Sequence, residues 1–260
     1  MDIKRFLNLP SILEAKNVLC VQPHPDDNEI GAGGFLSILK EKGARITFVT
    51  VTDGRKGLPT RKITHEELVK IRDEEKKKAG EILGVKEFID LAFEDGGDYT
   101  IEELTEKLIK IFRNVKPELV LTVDGWLPYE AHPDHVKTGK AVASAVLFAR
   151  NLSLPELGDP FSINQIAFYA SAFPNTYIDI TNYWENKIKA IKEHKSQFDN
   201  SNWPFMEKFF YDQSKEWYRE GKEKNAIESV AGKLPDEGLA EAFKVLSIWE
   251  LHMFPKAIFN

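Results

Sequence analysis

The sequence predicts an α/β fold: a Rossmann-like, mostly parallel sheet with helices on both faces and a C-terminal helical extension. Short apolar runs alternate with helical patterns over most of the chain, and glycine-rich turns follow the strand ends. A chain of 260 residues is also long enough to bury a core without disulfides.

Val18–Val21, Ile46–Val51, Phe88–Ala92 and Leu119–Val123 read as short buried strands. Helical patterns fall between them at about residues 31–42, 65–83, 101–115 and 133–149, which implies right-handed βαβ crossovers. Asp53-Gly54 and Asp95-Gly96-Gly97 supply the turns. Ile166–Ala170 and Tyr177–Ile180 read as further strands, followed by a helix near 182–197. Beyond about residue 200 aromatic residues crowd a charged segment. There Met206, Phe210, Gln213 and Trp217 share one helical face, which implies core packing or a subunit contact. Gly232–Gly238 reads as a loop before a final apolar stretch. The expected organisation is one domain over 1–260, with a core at about 15–200 and an extension at about 201–260.

The formal net charge is −6 and the pI about 5.6. Lys and Arg are dispersed, so no basic patch marks a nucleic-acid partner. No apolar run is long enough to span a membrane, and Met1–Phe6 lacks a signal-peptide core, so a cytoplasmic protein is expected. The single cysteine, Cys20, lies in an apolar strand and reads as a packed core thiol.

Two clusters carry chemistry. Pro23-His24-Pro25-Asp26-Asp27 leaves the carboxyl end of the first strand, where open α/β sheets place their ligands. The prolines restrict the backbone on both sides of His24. In His132-Pro133-Asp134-His135 the two histidines are three apart at a helix start and project to one side. Two imidazoles and one carboxylate, with a fourth position open, suit a catalytic zinc. Ligand type leaves other divalent metals open. Adjacent Asp26 and Asp27 can divide the work, one on the metal and one on a proton. Each cluster alone has a plainer reading, a solvated turn or a helix start with Pro133 in its first turn. Their joint placement at strand ends of one sheet favours chemistry.

Pro-His-Pro-Asp-Asp-x-Glu at 23–29, Gly33-Gly34, Thr52-Asp53-Gly54, Arg72-x-x-Glu75 and the second His cluster resemble the PIG-L/LmbE-like zinc-dependent N-deacetylases over about residues 17–200. Trp126–His132 and His194–Phe198 are most similar to the diacetylchitobiose deacetylases within that family. The resemblance implies that His24, Asp27 and His135 bind Zn2+, that Asp26 is the general base and that a protonated His132 stabilises the transition state. It implies hydrolysis of the N-acetyl group of an N-acetylglucosamine-type sugar such as diacetylchitobiose. It further implies substrate contacts by Arg72, Asp95 and a C-terminal histidine, His252, which in some relatives reaches across a subunit boundary. A homo-oligomer, hexameric in related chitobiose deacetylases, is expected with it.

The residues keep plainer readings beside these. Arg72 and Glu75 project from the apolar face of their helix and can pair with each other. Asp95 can simply start a turn, and Asn28 and Glu29 can cap or orient the first motif. Trp126 and Tyr129 stack on a sugar or pack in their loop. His252, set among apolar residues, can be a satisfied core histidine. Two other functions stand as alternatives. One is deacetylation of a glucosaminyl conjugate in low-molecular-weight thiol biosynthesis. The other is a non-catalytic Rossmann-like binding protein with Gly31-Ala32-Gly33-Gly34 cradling a phosphate, although the dinucleotide pattern needs glycine where Leu36 stands.

Overall fold

The computed structural model describes residues 7–59 and 62–253. Five segments line up in parallel: β1 (Asn17–Gln22), β2 (Arg45–Thr52), β3 (Val85–Phe93), β4 (Leu119–Val123) and β5 (Gln165–Tyr169), all largely buried but the edge strand β3. With β6 (Thr176–Asp179), β7 (Ile227–Glu228) and β8 (Ala240–Ser247) they form an eight-stranded sheet in the order β3-β2-β1-β4-β5-β8-β6-β7. β1 pairs in parallel with β2 on one side and β4 on the other, so the order in which strands are added reverses there. The loops leaving β1 and β4 therefore part around a crevice, the position at which such sheets bind ligands.

Strand alternation divides the core. Val18 and Cys20 of β1 face a cluster that includes Phe35, Leu39, Phe48 and Ile191, whereas Leu19 and Val21 face one that includes Leu108, Phe112 and Val142. The first layer comprises α1 (Asp27–Glu41), α2 (His65–Leu83) and α5 (Trp184–Glu193); the second comprises α3 (Ile101–Val115) and α4 (Pro133–Phe148). α2 opens on a Thr64–Glu67 capping box and stops at Gly84, whose φ of +79° suits a residue without Cβ.

Three elements differ from expectation. α1 begins at Asp27 rather than near 31, because Asp26 turns the backbone sharply and two acidic residues occupy the first helical turn. The helix expected over 182–197 divides into a 3₁₀ turn at Thr181–Tyr183, α5, and the four-residue α6 (Lys195–Phe198), with the break at His194. The last apolar stretch is β8, inserted antiparallel between β5 and β6, so the C-terminal segment supplies a strand as well as a helix. Fully buried Glu241 of β8 accepts the Gly34 and Phe35 N–H groups and pairs with buried Lys187 at 2.7 Å.

α7 (Trp203–Glu223) buries Trp203, Phe210, Ser214 and Tyr218. Of the expected Met206–Phe210–Gln213–Trp217 stripe only Phe210 is buried. Phe205 and Phe209 are exposed. Among the described residues no helix is long and apolar enough to cross a membrane, and Cys20 is buried as expected.

Candidate active site

The first motif is held open at the end of β1. Pro23 O accepts both the N–H and the hydroxyl of Thr52 at 2.9 Å, pinning the turn to β2. Asp26 adopts φ +131°, a conformation that strains any residue other than glycine and that is typical of functional turns. That turn starts α1 and aims Asp26 and Asp27 in different directions.

Asp27 faces both imidazoles. Its Oδ2 lies 3.4 Å from His24 Nδ1 and also accepts the His24 N–H at 2.9 Å, while Oδ1 lies 3.5 Å from His135 Nε2. Donor atoms of His24, Asp27 and His135 all lie within 4.8 Å of one another. His24, Asp95, His132 and Asp134 form a second such group. The carboxylate of Asp134 is already engaged by three partners: Tyr99 Oη donates to Oδ1 at 2.9 Å, the Gly96 N–H to Oδ2 at 2.7 Å, and His24 Nε2 lies 3.2 Å away. Asp95 Oδ1 is 3.4 Å from the same Nε2. These two carboxylates orient the His24 ring through its far nitrogen, the arrangement that supports a metal-ligating imidazole. The first group is thus the one that fits a divalent cation, with two nitrogens, a carboxylate and an open side toward the cleft.

Charge follows this layout. Burial disfavours a charged His24, but contacts with Asp134, Asp27 and Asp95 outweigh it and push its pKa up to about 12. Burial likewise opposes a charged Asp27, and the His24 and His135 contacts win, lowering its pKa to about 2. A site that attracts a proton so strongly is one that a cation can occupy instead.

Asp26 is set apart. Burial raises its pKa, only partly offset by Arg72 and with Asp27 adding to the rise, to about 6. Arg72 donates from Nη2 to Asp26 Oδ2 at 3.0 Å and to Pro25 O at 2.6 Å, and from Nη1 to Gly54 O at 2.9 Å. Its planar fork therefore braces the turn that carries Asp26. The expected Arg72–Glu75 pair does not form: the Glu75 carboxylate instead takes the N–H and hydroxyl of Ser196, both at 2.7 Å, linking α2 to α6. The pairing partner of Arg72 is thus Asp26, contributed by a turn distant in sequence, and Arg72 also lines the cleft. Behind this turn Glu29 and His194 face each other at 3.4 Å, both fully buried. Asn28 anchors the motif, its N–H donating to Gln22 Oε1 and its side chain accepting from Tyr169 Oη.

His132 caps α4: its Nδ1 accepts the Asp134 N–H at 3.3 Å. In the neutral ring the proton then sits on Nε2. Burial, and the charges of His24 and His135, lower its pKa. Nε2–H is therefore the donor that this ring offers toward the cleft. His24, Asp26, His132, Arg72 and Asp95 line a cleft of about 380 Å3. Sequence reasoning missed Lys56 and Gln197, which line it too. Gln197 reaches it only because α6 folds back, its Nε2 donating to Gly57 O at 2.9 Å. Also missed was Glu130, whose Oε2 lies 3.4 Å from His135 Nδ1; its place two residues before His132 was the available signal. Trp126 packs edge-on against Phe168 yet stays 57 % exposed, and Tyr129 is fully exposed. His252 is exposed and lies outside the cleft lining, so it is neither a core histidine nor joined to this cleft.

Comparison with known proteins agrees with this geometry. A family model described as PIG-L, GlcNAc-PI de-N-acetylase, matches residues 19–146. The chain is 37% identical over 252 residues to a diacetylchitobiose deacetylase of Thermococcus kodakarensis, covering 94% of this chain and 88% of the relative. It is 32% identical over 201 residues to a probable N-acetyl-alpha-D-glucosaminyl L-malate deacetylase 2 of Bacillus anthracis, covering 70% and 82%. The solved structure of N,N'-diacetylchitobiose deacetylase from Pyrococcus horikoshii superposes with a TM-score of 0.84 at 32% identity, covering 97% of this chain and 92% of that one.

Proposed function

This chain belongs to the PIG-L family of de-N-acetylases, and from that premise we propose that it hydrolyses the N-acetyl group of an N-acetylglucosamine-type sugar, diacetylchitobiose first among them, using a zinc ion held by His24, Asp27 and His135. The observation that carries the reading is the separation of the two adjacent carboxylates. Asp27 faces His24 and His135, while Asp26 faces the cleft and is braced by Arg72.

Bound there, the cation supplies Lewis acidity that acidifies water and polarises the acetamide carbonyl. Asp26 accepts the proton of the attacking water, and its raised pKa suits a group that must take a proton and release it near neutrality. His132 directs its Nε2–H at the carbonyl oxygen as negative charge develops there. Asp26 then returns its proton to the departing amine nitrogen, and acetate leaves. Asp95 and Gln197 offer acceptor oxygens to sugar hydroxyls along the cleft. His252 lies outside that lining, and contact with substrate through a second copy of the chain fits its exposure. The same reading has the enzyme acting in the cytoplasm as a homo-oligomer, with exposed Phe205 and Phe209 of α7 available for the contact.

Acetate release from diacetylchitobiose, N-acetylglucosamine and a glucosaminyl-malate conjugate tests the proposal. Release from the disaccharide, abolished by a chelator and restored by zinc, is the expected result. Preference for the malate conjugate would move the substrate to the second relative's class. Full activity after chelation, or no acetate from any of the three, would overturn the mechanism.

A further inference from the structure

We propose that Glu130 is a positioning residue that holds His135 in its metal-binding orientation and ties the loop at 124–132 to the metal centre. The inference rests on the ligand set proposed above. Glu130 stands outside both motifs, yet its carboxylate serves both histidines of the second one. Oε1 accepts the His132 N–H at 2.8 Å, and Oε2 lies 3.4 Å from His135 Nδ1. On its other side His135 presents Nε2 to Asp27, 3.5 Å away. An imidazole that ligates through Nε2 carries its proton on Nδ1, and a carboxylate facing that nitrogen sets both tautomer and ring angle.

The loop is built to deliver this side chain. Asp124 opens it, accepting the Trp126 N–H on Oδ1 at 2.9 Å and the Leu127 N–H on its carbonyl at 3.2 Å. The Glu130 N–H donates to Leu127 O at 3.1 Å, and Tyr129 between them sits at φ +67°. That conformation is unfavourable for tyrosine, and the fully exposed ring makes up none of the cost through packing. What the turn accomplishes is the placement of Glu130. His24 is held in the same manner by Asp134 and Asp95, so each ligating histidine has a carboxylate on its outer nitrogen.

Glu130→Gln separates this role from loop bracing. Glutamine puts an NH2 donor in place of one of the two carboxylate oxygens, so either the His132 N–H or the His135 Nδ1–H loses the acceptor that faces it. Zinc affinity is measured on the full chain by competition with a chromophoric chelator, for wild type, Glu130→Gln and His135→Ala, beside the melting temperature of each metal-free protein. The expected result is affinity weakened roughly 10–100-fold in Glu130→Gln, with the metal-free melting temperature unchanged. Wild-type affinity in Glu130→Gln, with His135→Ala impaired, overturns the role of Glu130 alone. A lowered metal-free melting temperature without an affinity change makes it a loop brace and overturns the role as well. Wild-type protein that fails to bind zinc, or His135→Ala that binds it normally, instead removes the ligand set on which the inference stands.

Discussion

Replacing Arg72 distinguishes a residue that binds substrate from one that aims the base. Its side chain is 4% exposed and its ion-pair partner Asp26 13%. Two guanidinium nitrogens make three contacts, to Asp26 Oδ2, Pro25 O and Gly54 O. Arg72→Ala leaves a buried carboxylate unpaired and removes a donor from Pro25 O and one of the two donors to Gly54 O, and breaking one partner of a buried pair costs about 3–5 kcal/mol. At this chain length each kcal/mol lowers the melting temperature by roughly 2–4 °C, so a fall of at least about 6 °C is expected. Arg72→Lys keeps the charge but cannot reproduce the fork, so it recovers part of the stability and little of the geometry. Because displacing a reacting group by about 1 Å can cost 100-fold, both variants are expected to lose about two orders of magnitude in kcat. KM should change far less. The assay is steady-state acetate release paired with thermal melting of the same preparations. A raised KM with near wild-type kcat and melting temperature would refute the bracing argument and make Arg72 a substrate contact.

Two further expectations follow from the same geometry. Asp26→Asn removes the proton acceptor but no ligand donor, so zinc affinity should hold while kcat falls by about 100- to 10,000-fold; a fully active variant would take Asp26 out of the chemistry. Gly139→Ala places a Cβ 2.3 Å from Gly125 N and 2.7 Å from Val123 O, both backbone atoms that cannot step aside. It should push α4 and its His135 away from β4, costing more than about 1–3 kcal/mol, the usual range for overpacking. A melting temperature within 1–2 °C of wild type, roughly half a kcal/mol, would refute the tight approach of α4 to the Gly125 backbone.

Much of the site was legible because its residues are local. His24, Asp26 and Asp27 follow one strand, and His132 and His135 open one helix, so short-range spacing alone brought each group to a strand end. Arg72 was legible as an unusual charge on an apolar helix face, but its partner was not. Helix periodicity suggested Glu75, three residues away, whereas the turn at Pro25–Asp26 and the α6 segment each claimed one of the two charges. α7 shows the same limit. Periodicity marked an aromatic face, but the buried set is rotated toward Trp203, Ser214 and Tyr218, because only the neighbouring β6 and β8 select which face is covered.

Spacing within a few residues sets the alternating α/β order, the two clusters of potential ligands and the pairing of an imidazole with two adjacent carboxylates. Tertiary structure alone decided that Asp27 faces the histidines and Asp26 faces Arg72, because that choice depends on the strained turn at Asp26 and on a helix arriving from elsewhere in the chain. It alone seated β8 in the sheet beside β5 and placed Gln197 on the cleft. Contacts between distant segments follow from how layers pack over one sheet, and no local pattern in the chain encodes them.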